Sequence, residues 1–302
     1  LDSAQIRGNA VSRARMLGYV PTSQLAPQAT VNLVVDVSSI TGAKPAALTL
    51  PRGTKLDSTV DGETFQFITT ATQSEDLQDN KYTFNNVNIA EGSYNIIKYR
   101  VDNDIVNQKH QLPHVNIDTS TLRTRVQANE ESSSFDIFTL FTTLLSVDSS
   151  SKIYHLQENS NGYYEIYFGD GVTGSKPSNN NIVTLDYIYS NGLDANGANL
   201  FTMTDSVGGF SNITVSTVTA AAGGADQETL ESIRYNAPLT FTAQNRAVTS
   251  DDYRAIIQRE FSNIDAISTW GGEDQASPDY GKIYIAIKPK TSTILSADEK
   301  AR

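Results

Sequence analysis

Apolar residues recur along this chain at two periods, and the shorter one dominates. Val31, Leu33, Val35 and Val37 alternate with Asn32, Val34 and Asp36, the period of two that turns one face of a strand into a core. Thr64 to Ile68 alternates in the same way, and Ala47 to Leu50 runs into Pro51-Arg52-Gly53, a strand ending in a turn. The run from Val87 to Tyr99 is broken at Glu91-Gly92, which predicts a turn between two strands. Residues 102–120 carry Asn, Asp, Pro, Ser and Thr with little periodicity and predict a loop or crossover. A second β-rich block follows. Ile153 to Gln157 and Tyr163 to Phe168 flank Glu158 to Gly162, a hairpin signal with Asn161-Gly162 suited to positive φ. Ile182 to Tyr189 is a further strand, with Leu185, Tyr187 and Tyr189 on one face and Ile182, Thr184, Asp186 and Ile188 on the other. Ile213, Val215 and Thr217 form the last alternating run of this block.

The helical period is confined to the two ends. Ile6, Ala10, Ala14 and Leu17 predict a helix over 3–17, stopped by Gly18 with Pro21 beyond. Ala220 to Gly224 mark a change of composition and a junction. Asp226 is the expected N-cap of a helix that buries Leu230, Ile233 and Ala237 and ends at Pro238. Thr249 is the expected N-cap of the next, with Asp251 and Asp252 in its first turn and Tyr253, Ile256, Ile257 and Phe261 as its apolar stripe. Strands are expected over Ile264 to Thr269 and Lys282 to Lys288, around Gly271-Gly272. Ser296 to Glu299 reads as a capping box opening a helix where the sequence stops, and the first residue is Leu. The expectation is therefore a fragment of a longer protein. The expected fold is α+β and predominantly β, in several domains. An N-terminal helix (1–20) leads to a β-rich domain (21–120). A β-rich core domain (121–222) and an incomplete α+β domain (223–302) follow.

Composition removes several functions. With 23 Lys and Arg against 34 Asp and Glu, the net charge is -11 over 302 residues. That argues against nucleic acid and anionic membrane surfaces as partners, since both need clustered cations. The absence of cysteine excludes a disulfide scaffold, a thiolate zinc site and a Cys nucleophile. The most apolar stretch, Phe135 to Leu145, is too short and too polar to cross a bilayer, so no membrane insertion is expected.

The motifs in the chain are turns rather than chemistry. Gly169-Asp170-Gly171 lacks the spacing of a dinucleotide fingerprint and reads as a Gly-dependent turn. His110 and His114 have helical zinc spacing, but Pro113 between them breaks that helix. Asp102 and Asp104, and Asp194, Asn196 and Asn199, are oxygen-rich loops without the twelve-residue calcium pattern. No Gly-x-Ser-x-Gly elbow is present, and His155 reads as a strand-face residue. No catalytic, cofactor-binding or metal-ligating residue is assigned. Trp270, the single tryptophan, reads first as a packing residue and second as an anchor in a partner interface. Two rivals to a structural protein stay open at this level: a carbohydrate-active β-protein using two carboxylates, and a calcium-dependent adhesin.

Three segments together resemble the baseplate-J-like family, the wedge subunits of contractile phage tails, and in detail those of T-even-type myoviruses. The first is Ala10 to Pro21 with Ala29 to Leu33. The second and most specific is Tyr164-Glu-Ile-Tyr-Phe-Gly-Asp-Gly-Val-Thr-Gly174, followed by Asn181 to Tyr187 and Asn191-Gly192. The third is Gly223 to Leu230, then Arg246 to Tyr253. The polar stretch from Gln73 to Lys81 departs from many relatives. The resemblance implies a non-enzymatic virion protein of the tail baseplate, assembled in the host cytoplasm. It implies self-association as a homodimer or higher homo-oligomer, contacts with other wedge proteins, and rearrangement when the tail contracts. It implies no cofactor. Phe168, Gly169, Asp170, Gly171 and Gly174 match the family's central turn, and a fold role is expected for them. Tyr253, Phe261 and Trp270 are the apolar candidates for a self-contact.

Overall fold

Strands form here where β-branched and aromatic residues alternate with polar ones, so that each strand has one face to bury. The computed structural model describes residues 4–141, 147–203, 205–243, 246–247, 249–260, 264–275 and 277–289. It opens with helix α1 (Arg7–Met16) and runs through β1 (Gln28–Asp36), β2 (Ala47–Leu50), β3 (Lys55–Val60), β4 (Glu63–Thr69), β5 (Gln73–Asp76) and β6 (Lys81–Glu91). Next come β7 (Ser93–Arg100), β8 (His110–Gln111), β9 (Ile117–Gln127), β10 (Phe135–Leu140), β11 (Ile153–Glu158), β12 (Tyr164–Phe168) and β13 (Ile182–Tyr189). After β14 (Phe201–Thr202) and β15 (Ile213–Ala222), helices α2 (Leu230–Ala243) and α3 (Ser250–Glu260) lead to β16 (Ile264–Gly271) and β17 (Ile283–Pro289). The fold is predominantly β.

Two large sheets carry the structure. The first has strand order β14-β3-β4-β6-β1-β15. Its core is the inward parity of β1 (Val31, Leu33, Val35) packed on Leu56, Phe67, Phe84 and Ile89. Each such side chain contributes about 1.5–3 kcal/mol on burial. The Ala221 N–H and C=O pair back to Ala198 and Gly197, so this sheet curls toward its other edge. The second has order β7-β13-β9-β10-β11-β12-β8. Leu185 and Tyr187 of β13 pack there on Leu112, Ile117, Phe138 and Ile166. β13 is flanked on both sides, and every residue from Ile182 to Ile188 is buried.

Sheet membership does not follow chain order. β14 and β15 return to the first sheet, and β9 runs across residues 120 and 121, where the boundary between two β-rich domains was expected. Residues 102–120, expected as loop or crossover, contain β8 and the start of β9. The break at Glu91-Gly92 is real, but β6 and β7 do not pair with each other. Gly92, at φ +120, is where the chain leaves one sheet for the other.

At the ends, Ala10, Val11 and Ala14 of α1 pack on Ile233 and Ala237 of α2. Ile6, expected on that face, is 63% exposed because the helix starts one residue later. Asp226 does not cap α2; the Thr229 hydroxyl does, accepting the Ser232 N–H at 3.2 Å. Pro238 does not end α2 either. It lacks the N–H that would reach back one turn, yet the helix continues to Ala243. Thr249 caps α3 as expected, and the exchange is reciprocal: Thr249 N–H donates to Asp252 at 2.8 Å and Asp252 N–H to Thr249 Oγ1 at 3.2 Å. β16 and β17 form an antiparallel pair. Phe261 and the helix expected from Ser296 lie outside the described residues.

Candidate functional site

The Phe168-Gly169-Asp170-Gly171 turn is built from glycine and one carboxylate. The Asp170 side chain accepts the N–H groups of Val172 and Thr173, both at 2.9 Å, and these bonds hold its carboxyl below the usual carboxylate range. Gly171 N–H donates to Gly174 C=O at 3.0 Å, closing the loop. A Cβ on Gly169 would stand 2.4 Å from the Thr173 oxygen, and one on Gly174 would stand 2.7 Å from Ile153, so neither position admits a side chain. Phe168 turns inward, with its ring 5.1 Å from Phe138 and 5.9 Å from His110.

His110 is therefore a core residue, 2% exposed, and burial pushes its imidazole down to about 4. The unfolded chain takes that proton near 6.5, so stability that is whole above 6.5 is lost as pH falls toward 4. The loss approaches about 3 kcal/mol. His110→Gln should flatten the acid limb of urea-midpoint against pH between those values. A slope equal to wild type would remove His110 as its source. His114, also held low by burial, stacks on Tyr189 at 4.1 Å, and His155 stacks on Tyr167 at 4.8 Å. Among the described residues no group of His, Asp and Glu could hold a metal ion. No helix among them is long and apolar enough to cross a membrane.

Buried acids tie the elements together at three places. At the first, Glu91 is fully buried and accepts Ser190 Oγ at 2.7 Å, the Asn191 N–H at 3.0 Å and Asn191 Nδ2 at 2.8 Å. Burial pushes its carboxyl up, and these bonds oppose that. Beside it, Asp118 takes the Ala26 N–H at 3.0 Å and the Ser120 hydroxyl at 2.6 Å, anchoring the segment before β1 to β9. Ala26, Ile68, Ala90 and Ile188 fill the apolar seam between the sheets.

At the second, Asp186 of β13 is 3% exposed. It accepts Arg125 at 3.0 Å and the Tyr94 hydroxyl at 2.9 Å. Arg52, from the turn before β3, lies 3.6 Å away, a charge contact too long for a hydrogen bond, and stacks 4.8 Å over the Tyr94 ring. At the third, Arg7 of α1 grips Glu158 with two bonds, 2.8 and 3.0 Å, and also donates to the Glu228 carbonyl. The Glu228 carboxylate takes the Tyr19 hydroxyl at 2.7 Å and Ser232 Oγ at 2.6 Å. The sequence offered one signal for such a junction, an Asp inside the apolar run of β13. Its partners lie 61 residues away or more, and no spacing names them.

The outer face of β7, β13 and β9 is an ordered array. One row reads Ile96, Asp186, Arg123. The next reads Lys98, Thr184, Arg125 and, on β10, Ile137. The third reads Arg100, Ile182, Gln127, Phe135. Elsewhere, Trp270 is half-buried and stacks on Tyr284 at 6.0 Å, across the β16–β17 pair. Tyr253 of α3 is half-buried, and Thr269 Oγ1 donates to the Ser250 carbonyl at 2.6 Å, holding β16 to the start of α3.

The junctions place buried acids where they hold the elements of a predominantly β fold to one another. Comparison with known proteins finds the following similarities. Residues 249–302 match the family model described as baseplate structural protein gp6, C-terminal domain I. The chain is 27% identical over 331 aligned positions to baseplate wedge protein gp6 of Enterobacteria phage T4, covering 99% of this chain and 47% of that protein. It thus spans about half the length of the curated relative it matches. A solved anti-feeding prophage baseplate, 6-fold symmetrised, shares 12% identity over 86% of this chain and 48% of that one, at a TM-score of 0.31. The similarity is to baseplate wedge proteins.

Proposed function

We propose that this chain is part of a baseplate wedge protein, a structural component of a phage tail that holds neighbouring subunits and makes or breaks no bond. The observation that carries this is the match to a wedge protein along 99% of the chain, joined to the separate family match at 249–302. Baseplate-J-like membership, assembly in the host cytoplasm and rearrangement during contraction belong to the same reading. The buried acids support it. Asp118, Glu158 and Asp186 are each bonded to backbone, hydroxyl or arginine partners, an arrangement that holds segments together rather than working on a sugar. The test is co-expression with the other baseplate proteins of the same phage. Stable co-purification in a defined complex is expected. A chain that stays alone in every pairing overturns the reading.

Self-association as a homodimer or larger homo-oligomer is part of the proposal, with Tyr253, Phe261 and Trp270 as its anchors. Trp270 keeps solvent contact, and Tyr284, its partner on the same face of the strand pair, is likewise only half-buried. Trp270→Ala should lower the mass measured by light scattering while the circular dichroism spectrum stays that of wild type. Unchanged mass with intact folding would move the self-contact elsewhere.

A further inference from the structure

We infer that the outer face of β7, β13 and β9 is a docking surface for an acidic segment of a different baseplate subunit. The inference rests on the baseplate reading and adds to it which face meets which chemistry. Charge complementarity carries it, because this face runs against the chain's acidic balance. The chain has 34 acidic and 23 basic residues, yet Lys98, Arg100, Arg123 and Arg125 share this face with Arg52 beside it, and the acid within these rows is Asp186. Asp186 is already shared between Arg52 and Arg125, and Arg100 is paired with Glu130 at 3.0 Å. Lys98 and Arg123 have no ion pair among the described residues. The fold leaves their charge for something outside it.

The same face keeps apolar groups in solvent at its margins, on β7 and β10. Ile96 is 50% exposed, Ile137 63% and Phe135 47%. Cations flanked by exposed apolar side chains fit an acidic segment that also carries apolar residues, since each kind of group then meets its complement. A second copy of this chain meeting the face symmetrically would set cation against cation, and a net charge of -11 argues against nucleic acid. The occupant is therefore a carboxylate-rich segment of another protein.

The experiment uses the full chain and each purified baseplate subunit of the same phage in turn. Carbodiimide coupling, read by mass spectrometry, should join Lys98 to an Asp or Glu of another subunit. Lys98→Glu with Arg123→Glu should raise the Kd for that subunit about tenfold or more, and wild-type affinity should fall with added salt. The control, Arg13→Glu with Lys55→Glu, makes the same charge change at two exposed sites on other elements, α1 and β3, and should leave Kd within about twofold. Coupling of Lys98 to a second copy, or equal binding by the Lys98/Arg123 double variant, overturns the inference while the baseplate reading stands. Binding of wild type to duplex DNA through Lys98 and Arg123 overturns it too. If wild type binds no subunit at all, the baseplate reading falls first and this inference with it.

Discussion

Gly92→Ala should destabilise the protein by about 4 kcal/mol, enough to leave much of it unfolded at 37 °C. Two costs add at this position. The backbone sits at φ +120, where an L side chain is strained. A Cβ there would also stand 2.3 Å from the Tyr189 carbonyl oxygen and 2.9 Å from Ile188 Cγ2, and both belong to the buried strand β13. That strand cannot retreat, because it is hydrogen-bonded to β7 on one side and β9 on the other. The crossing itself is pinned as well: Gly92 N–H donates to the Gln66 carbonyl at 2.8 Å. Gly62→Ala is the internal comparison. Its φ is +91, but nothing lies within 4 Å of the added atom, so only backbone strain of about 1 kcal/mol is expected. Urea denaturation of both variants, followed by circular dichroism, separates the costs. A Gly92→Ala midpoint no lower than that of Gly62→Ala would show that the close approach to β13 is not real.

The elements that could be read from the sequence are those in which local pattern and final environment agree. β1 alternates because one of its faces is core and the other is not. The β11–β12 hairpin was legible because Gly162 takes φ +82 at its turn. The Thr249 cap was legible because capping is a local bond. β3 was missed because its inward parity is Leu56, Ser58, Val60, and a buried serine hides the alternation. The turn after it, Asp61-Gly62, has positive φ at both residues and was a hairpin signal left unread. β9 was missed for a related reason: Arg123 and Arg125 interleave with Leu122, Thr124 and Val126, and a buried threonine weakened the pattern. Assignment of strands to sheets was never local. Glu91-Gly92 reads the same whether the chain turns back or crosses to another sheet, and only the partners of Glu91 just past the end of β13 decide it. The central turn was legible as a turn. The basic face was not, because its residues come from four segments that only strand register brings into rows.

Removing the carboxylate at Asp186 should cost about 3–5 kcal/mol, and the loss should be largely recoverable by a second change. Among the described residues the carboxylate is the anion paired with Arg52, whose side chain is 10% exposed, and with Arg125, whose side chain is 33% exposed. Burial already pushes the Arg52 guanidinium down, and the Asp186 charge opposes that shift. Asp186→Leu leaves Arg52 buried on the Tyr94 ring with no counter-charge, and strips the Tyr94 hydroxyl of its acceptor. Arg125 is exposed enough to swing its head into water, so its share of the loss is small. Adding Arg52→Met removes the stranded charge and fills the space with a flexible apolar chain. The double variant should return to within about 1–2 kcal/mol of wild type, a coupling of about 2 kcal/mol or more in a double-mutant cycle. The two side chains stand on different sheets, Arg52 before β3 and Asp186 in β13, so the cycle also measures how firmly the sheets are joined. Hydrogen exchange at Tyr94 and Gly53, whose close contact spans that seam, reports the same joint. Additive losses in the cycle, with exchange at the seam unchanged by Asp186→Leu, would mean that apolar packing at Ala26, Ile68, Ala90 and Ile188 holds the sheets together without the charges.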